Sequence, residues 1–196
     1  MTGNLQLLLL ALGTLLLGCS GPSRIEAPAW NPSSSAAKAL DLWDTDQDGG
    51  LDAQELRQCP GLARDMRAVD SDKDGKMSGA ELLARLQAFE ANGTGLKAAS
   101  FLVTLNGKPL PAADVRLIPE KFMEGILEPA FGKTNTAGIL RPQSESADLR
   151  AMQLGYYRVE IESALIKTDA QRESIRSLGA SVEPFSYAKQ TLAIKD

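Results

Sequence analysis

The sequence contains no histidine. Histidine is the side chain that most readily exchanges a proton near neutral pH and is the commonest transition-metal ligand, so its absence removes both options. It also excludes any catalytic site that pairs a serine or cysteine nucleophile with histidine. There are two cysteines, Cys19 and Cys59, and Cys19 ends an apolar leader, so they do not form a disulfide framework. No basic stripe is present, and the sequence therefore predicts no binding to nucleic acid.

The rest of the composition is that of a globular protein. The 196 residues are 43% hydrophobic and 23% charged, which allows one medium-sized domain or two small ones. The formal net charge of -4 is unevenly distributed. Residues 38–91 contain seven lysines and arginines against twelve acidic residues, whereas residues 92–196 contain thirteen against twelve. The acidity is therefore concentrated in the first half, where cation ligands would be expected.

The N-terminal leader is the apolar run Leu5–Leu17. It is shorter than the roughly 20 residues that a membrane span needs, and it matches the apolar region of a secretory signal peptide. Residues 16–19, with the sequence Leu-Leu-Gly-Cys, resemble a bacterial lipobox. The resemblance implies a signal peptide at residues 1–18, lipidation of Cys19, and a bacterial lipoprotein anchored to a membrane on the periplasmic or cell-surface side.

Plain secretion and an uncleaved anchor are the alternatives for this leader, and both also place the protein outside the cytoplasm. Residues 19–37 contain several prolines and a run of three serines. This composition predicts a flexible stalk between the lipid and the first domain.

Two twelve-residue segments, Asp44–Glu55 and Asp70–Glu81, match the EF-hand calcium-loop pattern at every diagnostic position. The predicted ligands of the first loop are Asp44, Asp46, Asp48, Gly50, Asp52 and Glu55. Those of the second loop are Asp70, Asp72, Asp74, Lys76, Ser78 and Glu81. The sequence therefore predicts two bound Ca²⁺ ions, one in each loop.

The spacing follows from the chemistry of calcium, a hard cation that takes six to eight oxygen ligands. Aspartates at positions one, three and five present short carboxylates to one concavity. Position six turns sharply, which glycine allows at no steric cost, and Gly49 and Gly75 occupy it. Position seven offers only its carbonyl, position nine binds directly or through water, and the longer glutamate at position twelve chelates with both oxygens.

The two loops differ in charge. The first has five carboxylates, whereas the second has four, with Lys73 and Lys76 nearby. Because ligand charge tunes calcium affinity, the first loop is predicted to bind more tightly. The EF-hand resemblance further implies that Leu51 and Met77, at position eight, join the two loops through a short β-bridge.

The flanking segments have helical patterns. Leu40 and Trp43 share one face before the first loop, and apolar residues recur at helical spacing over residues 79–91 after the second. Cys59, in the short connection between the hands, is interpreted as a small buried residue, and a thiol that pairs with another chain is the alternative. Residues 38–91 are thus predicted to form an all-α EF-hand pair, followed by a linker at residues 92–99.

The second half of the chain changes from helical to alternating hydrophobicity. Apolar residues alternate at 101–105 and 156–161, and residues 113–118 and 190–194 also have strand-like composition. Asn106-Gly107 is a turn signal. The predicted fold class is therefore two domains, a small all-α EF-hand pair followed by an antiparallel β-sandwich at residues 100–196.

Residues 105–119, 134–138 and 155–161 look like the carboxypeptidase-regulatory-like domain. The resemblance covers residues 100–196 and implies a transthyretin-like, seven-stranded sandwich. It carries no catalytic residues, and it implies a structural or interaction module. Residues 169–178 could form a short helix that this family does not require.

These observations indicate an exported, lipid-anchored, calcium-binding protein that is not an enzyme. Calcium could be structural or could act as a switch, and the structural role is favoured because extracellular calcium is often high. The alternative function is a cell-surface adhesion or assembly protein with calcium-dependent binding to an unknown protein partner. Short-linked calcium loops also occur in dockerin modules, which bind cohesins. An enzyme has no support beyond the abundance of carboxylates.

Overall fold

The computed structural model describes residues 27–146, 149–184 and 189–196. A helical segment comes first and a β-rich segment follows it, with one further helix near the end of the chain. The leader and Cys19 lie outside the described residues, as do residues 19–26 of the expected stalk. Within the described part of the chain, no helix combines the length and apolar character needed to cross a membrane.

The helical segment consists of three α-helices and two very short strands. They are α1 (Pro32–Trp43), β1 (Gly50–Asp52), α2 (Pro60–Val69), β2 (Lys76–Ser78) and α3 (Gly79–Asn92), with a 3₁₀ helix at Glu55–Gln58 between β1 and α2.

Helix α1 begins six residues earlier than the stalk prediction allows. The Asn31 side chain caps the helix by accepting a hydrogen bond from the Ser34 N–H at 3.0 Å. Pro32 occupies the first turn, where its fixed φ suits a helix and its missing N–H costs nothing. The C-terminal end of the stalk expected at residues 19–37 was therefore placed too late in the sequence. The prolines and serines there were interpreted as linker residues rather than as signals for the start of a helix.

Local sequence signals also explain the other helix ends. Pro60 starts α2, directly after the 3₁₀ helix. Ser78 and Glu81 form a reciprocal capping box at the start of α3. Gly93 ends α3 with φ of 60°. The predicted helix over residues 79–91 is thus confirmed, with one more residue at its end.

Strands β1 and β2 pair antiparallel, with Leu51 opposite Met77. Both side chains are fully buried. The expected bridge at position eight is confirmed, and it makes the description all-α incomplete. The hands contain a two-stranded sheet that joins their loops.

The β-rich segment contains nine strands within the described residues, two more than the resemblance implies. They are β3 (Phe101–Leu105), β4 (Lys108–Pro109), β5 (Asp114–Pro119), β6 (Ala130–Lys133), β7 (Ile139–Leu140), β8 (Gln143–Ser144), β9 (Gly155–Glu162), β10 (Gly179–Val182) and β11 (Gln190–Ile194). Helix α4 (Asp169–Arg176) lies between β9 and β10, within the stretch where a short helix was considered.

These strands form two sheets. One has the order β10-β9-β5-β6-β8, and the other has the order β11-β3-β4, with β7 also pairing to β3. All described pairings are antiparallel except that of β11 with β3, which is parallel from Gln190 opposite Phe101 to Ile194 opposite Leu105. The predicted antiparallel sandwich therefore needs this correction: the last strand pairs parallel to the first strand of this segment.

The helical and β-rich segments share one continuous hydrophobic core. Trp43 of α1 contacts Phe122 edge to face at 5.9 Å, and Phe89 of α3 stacks on Tyr156 of β9 at 5.4 Å between ring centroids. Residues 92–99, expected as a linker, connect α3 to β3, and Lys97 there forms an antiparallel bridge with Met152. The EF-hand helices are consequently fixed against the sandwich rather than independent of it.

Candidate metal centre

The two predicted calcium loops follow the same backbone path. Position four of each loop has a positive φ, 60° at Gln47 and 63° at Lys73. Position six also does, 89° at Gly49 and 87° at Gly75, and glycine adopts this conformation without a steric penalty. These left-handed residues curl each loop around a central concavity. The agreement shows that both sequences encode the same local geometry.

The aspartates at positions one, three and five converge in each loop. Asp44, Asp46 and Asp48 place one carboxylate oxygen each within 4.8 Å of one another. Asp70, Asp72 and Asp74 do the same in the second loop. The six aspartates predicted as ligands at these positions are therefore brought together in two groups of three.

Backbone amides hold the position-one aspartates in place. The Gly49 N–H donates to Asp44 Oδ2 at 3.0 Å, and the Gly75 N–H donates to Asp70 Oδ2 at 3.1 Å. One oxygen of each carboxylate is thereby fixed to the turn at position six. The other oxygen of Asp70, Oδ1, is buried and has no hydrogen-bond partner among the described residues. A buried carboxylate oxygen without a donor is costly, and a bound cation would satisfy it.

The position-twelve glutamates bind the loop backbone instead of joining the two aspartate groups. Glu55 accepts hydrogen bonds from the Thr45 N–H at 2.7 Å and the Asp52 N–H at 3.0 Å. Burial raises the pKa of Glu55, but these hydrogen bonds together outweigh it and the pKa is lowered. Each glutamate thus closes its loop as an ionised carboxylate positioned beside the aspartates.

Glu81 has the corresponding contacts in the second loop. The hydroxyl and N–H of Ser71 both donate to Glu81 Oε1, at 2.8 and 2.6 Å, and the Ser78 N–H donates to Oε2 at 3.0 Å. The Ser71 hydrogen bonds, followed by those of Ser78, lower the pKa of Glu81 to about 2. Glu81 is therefore charged at any physiological pH.

The predicted ligands at position nine make hydrogen bonds at the start of the helix that follows each loop. Asp52 Oδ1 accepts from the N–H groups of Gln54 and Glu55, at 2.7 and 2.9 Å. The Ser78 hydroxyl donates to Glu81 at 2.8 Å. The residues at position seven, Gly50 and Lys76, lie in β1 and β2. Among the described residues, the Asp52 carboxylate is not part of either group of three aspartates.

The donor set fits calcium and does not suit a softer metal. All the converging side chains are carboxylates, which hard cations prefer over transition metals. Cys59, the one described cysteine, is fully buried in the core away from these groups. Its burial confirms the interpretation as a core residue, and burial also raises the pKa of its thiol.

A salt bridge between the loops was not foreseen from the sequence. The Lys76 ammonium, at position seven of the second loop, binds Asp48 Oδ2, at position five of the first. Pairing of β1 with β2 brings the two residues together, although they are 28 positions apart in the chain. From the sequence, Lys76 was expected to affect only the second loop, in which it lies. Its contact with Asp48 of the first loop forms only because β1 pairs with β2.

A buried polar cluster between the segments was also missed. Asp65 of α2 accepts hydrogen bonds from Arg85 and from the Tyr156 hydroxyl, both at 2.9 Å. Arg85 also pairs with Glu183 at 2.9 Å. Because these residues come from four separate parts of the chain, no local sequence pattern could predict their contacts. The cluster fixes the EF-hand helices to β9 and to the end of β10.

Comparison with known protein families supports the interpretation of the first loop as part of an EF hand. A family model described as EF hand matches residues 37–60, which include the first loop. No curated protein and no solved structure matches the chain. Together with the two groups of aspartates, the match indicates a calcium-binding function.

Proposed function

We propose that this protein is an exported, lipid-anchored, non-enzymatic calcium-binding protein that holds one Ca²⁺ in each loop. The observation that carries the proposal is the convergence of three aspartate oxygens in each of two loops with the same backbone path. The buried, unpartnered Oδ1 of Asp70 supports an ion in the second loop, which the family model does not reach.

The calcium is structural in this proposal. Helices α1, α2 and α3 are packed against the sandwich, and Trp43, Leu62 and Phe89 are at most 4% exposed. A sensor that opens a groove on binding calcium would have to break these contacts. A bound ion instead neutralises the crowded carboxylates and links the end of one helix to the start of the next. It therefore adds binding free energy to the stability of the folded state.

The β-rich segment serves as a structural or interaction module. The carboxypeptidase-regulatory-like resemblance of residues 100–196 is compatible with two stacked sheets, and the sequence supplies no catalytic signature there. The absence of histidine and the location of the clustered carboxylates in the loops support a protein without catalytic activity.

Export and lipidation rest on the leader sequence and Cys19. Expression of the whole chain in a bacterium that is fed a labelled fatty acid tests this part. Wild-type protein should incorporate the label, whereas Cys19→Ser should not, and an unlabelled wild-type protein would contradict lipidation.

Calorimetric titration with calcium tests the binding proposal. The wild-type protein should bind two ions, and Glu55→Gln and Glu81→Gln should each leave one site of measurable affinity. Glu90→Gln is a matched control, because this exposed glutamate lies in α3 outside both loops. Binding that is unchanged in both loop variants would contradict the assignment.

Circular dichroism during the titration separates the structural role from a switch. Affinities in the range of about 10⁻⁴–10⁻³ M, typical of extracellular modules, and a gain of helix or thermal stability would support structural calcium. Micromolar affinity for a protein whose helix content does not change on binding calcium would instead indicate sensing.

A further inference from the structure

Strand β9 has an open edge over its second half. Strand β10 pairs with β9 only from Gly155 to Arg158. One more backbone hydrogen bond, from the Val159 N–H to the Leu178 carbonyl at 3.1 Å, ends this contact. On its other side, β9 continues to pair with β5 as far as Glu162. Residues 159–162 therefore have a neighbouring strand on one side only among the described residues.

The backbone groups on the open side follow from strand geometry. The N–H and C=O groups of one residue point to the same side of a strand, and successive residues alternate. Because the Val159 N–H points toward β10, the N–H and C=O of Ile161 also face that side. Neither group of Ile161 has a hydrogen bond to any residue that the structure describes. The edge thus presents one unpaired donor, the Ile161 N–H, beside the unpaired Ile161 carbonyl.

A groove of about 780 Å³ runs along this edge. One wall comes from the 3₁₀ helix Glu55–Gln58 and the start of α2, and α4 forms the other wall. Ile166 and Ile175 contribute apolar surface. The groove is therefore a cleft with a polar backbone edge at its base, not a flat apolar face.

Positive charge predominates in the lining. Its arginines are Arg57, Arg158, Arg172 and Arg176, against the two acidic residues Glu160 and Glu162, and Arg158 pairs with Glu124 at 3.7 Å. Arg57 has no ion-pair partner among the described residues. Arg172 and Arg176 pair only with exposed acids three residues earlier on the same helix, and such pairs contribute little and exchange readily.

We propose that this groove binds an extended acidic peptide segment of a partner protein, which adds as a strand to residues 159–162 of β9. Main-chain hydrogen bonds to an open edge provide affinity in this mode of recognition, and side-chain contacts on either wall provide specificity. A peptide is favoured over a lipid or a small anion because the unpaired N–H and C=O of Ile161 match the groups that a neighbouring strand supplies. The arginines select acidic side chains. The proposal does not depend on calcium binding.

Hydrogen exchange followed by NMR tests whether the edge is open. In the free protein, the Ile161 amide should exchange at least tenfold faster than the Glu160 amide, which faces β5. An Ile161 amide as protected as Glu160 in the free protein would overturn the proposal.

Fluorescence anisotropy tests whether the groove binds an acidic, extended peptide. The probe is a fluorescein-labelled peptide of alternating glutamate and valine, and the matched peptides replace glutamate with lysine or the central valine with proline. The acidic peptide should bind at least tenfold more tightly than either matched peptide and should slow the exchange of Ile161. Equal binding of all three peptides, or no binding of the acidic one, would overturn the proposal.

Charge reversal on α4 tests the location. The double variant Arg172→Glu/Arg176→Glu should weaken binding of the acidic peptide at least tenfold. The matched control, Arg141→Glu/Arg150→Glu, reverses two exposed arginines outside the groove and should bind as the wild type does. Circular dichroism establishes that both variants are folded. Equal binding by the two folded variants would overturn the proposal.

Discussion

Lys76 illustrates how one residue acts on a loop other than its own. Its ammonium binds Asp48, a predicted calcium ligand of the first loop, so it competes with the ion for that carboxylate. Both side chains are about one-third exposed, so solvent screens the pair and its contribution is small. The charge advantage predicted for the first loop is therefore reduced by a contact from the second.

We expect Lys76→Gln to raise the calcium affinity of the first loop about two- to fivefold, corresponding to an exposed ion pair of up to about 1 kcal/mol. The measurement compares Lys76→Gln/Glu81→Gln with Glu81→Gln alone, so that only the first loop binds. Lys73→Gln in the same background is the control, since Lys73 lies in the second loop without this contact. An unchanged or lower affinity in the Lys76 variant would refute the competition.

Glu120 is a second residue whose role depends on its surroundings. It is 1% exposed, and its Oε1 accepts a hydrogen bond from the Gly61 N–H at the start of α2 at 2.7 Å. Burial raises the pKa of Glu120 to about 7, although the Gly61 hydrogen bond opposes the shift. The ionised form is therefore disfavoured in the folded protein.

The pH dependence follows from this raised pKa. The contribution of Glu120 to stability is fully present below its unfolded pKa of about 4.5 and is lost as the pH rises through about 7. We expect Glu120→Gln, which keeps an acceptor for Gly61, to raise the free energy of unfolding at pH 8 by up to about 3 kcal/mol and by less than about 1 kcal/mol at pH 5.

Urea unfolding at both pH values measures this difference. Glu90→Gln, at an exposed glutamate of α3, should give the same change in stability at both pH values. A Glu120→Gln effect that does not vary with pH would show that the carboxyl is not titrating in this range.

Among the contacts between helices and strands, α2 approaches β10 very closely at Gly179. A Cβ atom built on Gly179 would lie 2.0 Å from the Pro60 carbonyl oxygen, which leaves no space for any side chain. The Pro60 backbone therefore packs directly on the strand. We expect Gly179→Ala to destabilise the protein by about 2–4 kcal/mol, as overpacking against rigid backbone does.

Thermal or urea unfolding of Gly179→Ala checks this expectation. Gly125→Ala is the comparison, because a Cβ there meets no atom within 4 Å and the cost of about 1 kcal/mol comes from the positive φ alone. Similar losses in the two variants would mean that the helix can move away from the strand.

The patterns within single elements were informative for the sequence predictions. Alternation over 101–105 and 156–161 predicted two strands that the structure contains, and apolar residues at helical spacing over 79–91 predicted α3. The parallel pairing of β11 with β3 could not be predicted, because strand composition does not encode the direction of a distant partner. The early start of α1 could have been found from Asn31-Pro32, an N-cap followed by proline.

At the scale of the whole molecule, the shared core should make unfolding cooperative. Since Trp43 and Phe89 pack on the sandwich, loss of calcium from the loops should weaken the β-rich segment as well. We expect calcium at about one hundred times its dissociation constant to stabilise the protein by about 2.7 kcal/mol for each occupied site.

Melting in calcium and in EDTA checks this prediction with two probes. Far-UV circular dichroism reports the helices, and tryptophan fluorescence reports the contact between the segments. Both should follow one transition that moves to higher temperature with calcium, whereas Glu55→Gln/Glu81→Gln should lose the shift. Two separate transitions in the wild type, with only the helical one sensitive to calcium, would show that the segments unfold independently.

The sequence by itself determined the two acidic loops, because their proposed calcium ligands lie within twelve consecutive residues and the turn positions are set by local backbone preferences. It also determined the helical and alternating character of the two halves. Only the tertiary structure decided which distant groups meet: Lys76 with Asp48, Glu120 with Gly61, and Asp65 with Arg85 and Tyr156. It alone also left the edge of β9 open. Such contacts depend on how segments far apart in the chain pack together, and the local conformational preferences of the residues do not determine that packing.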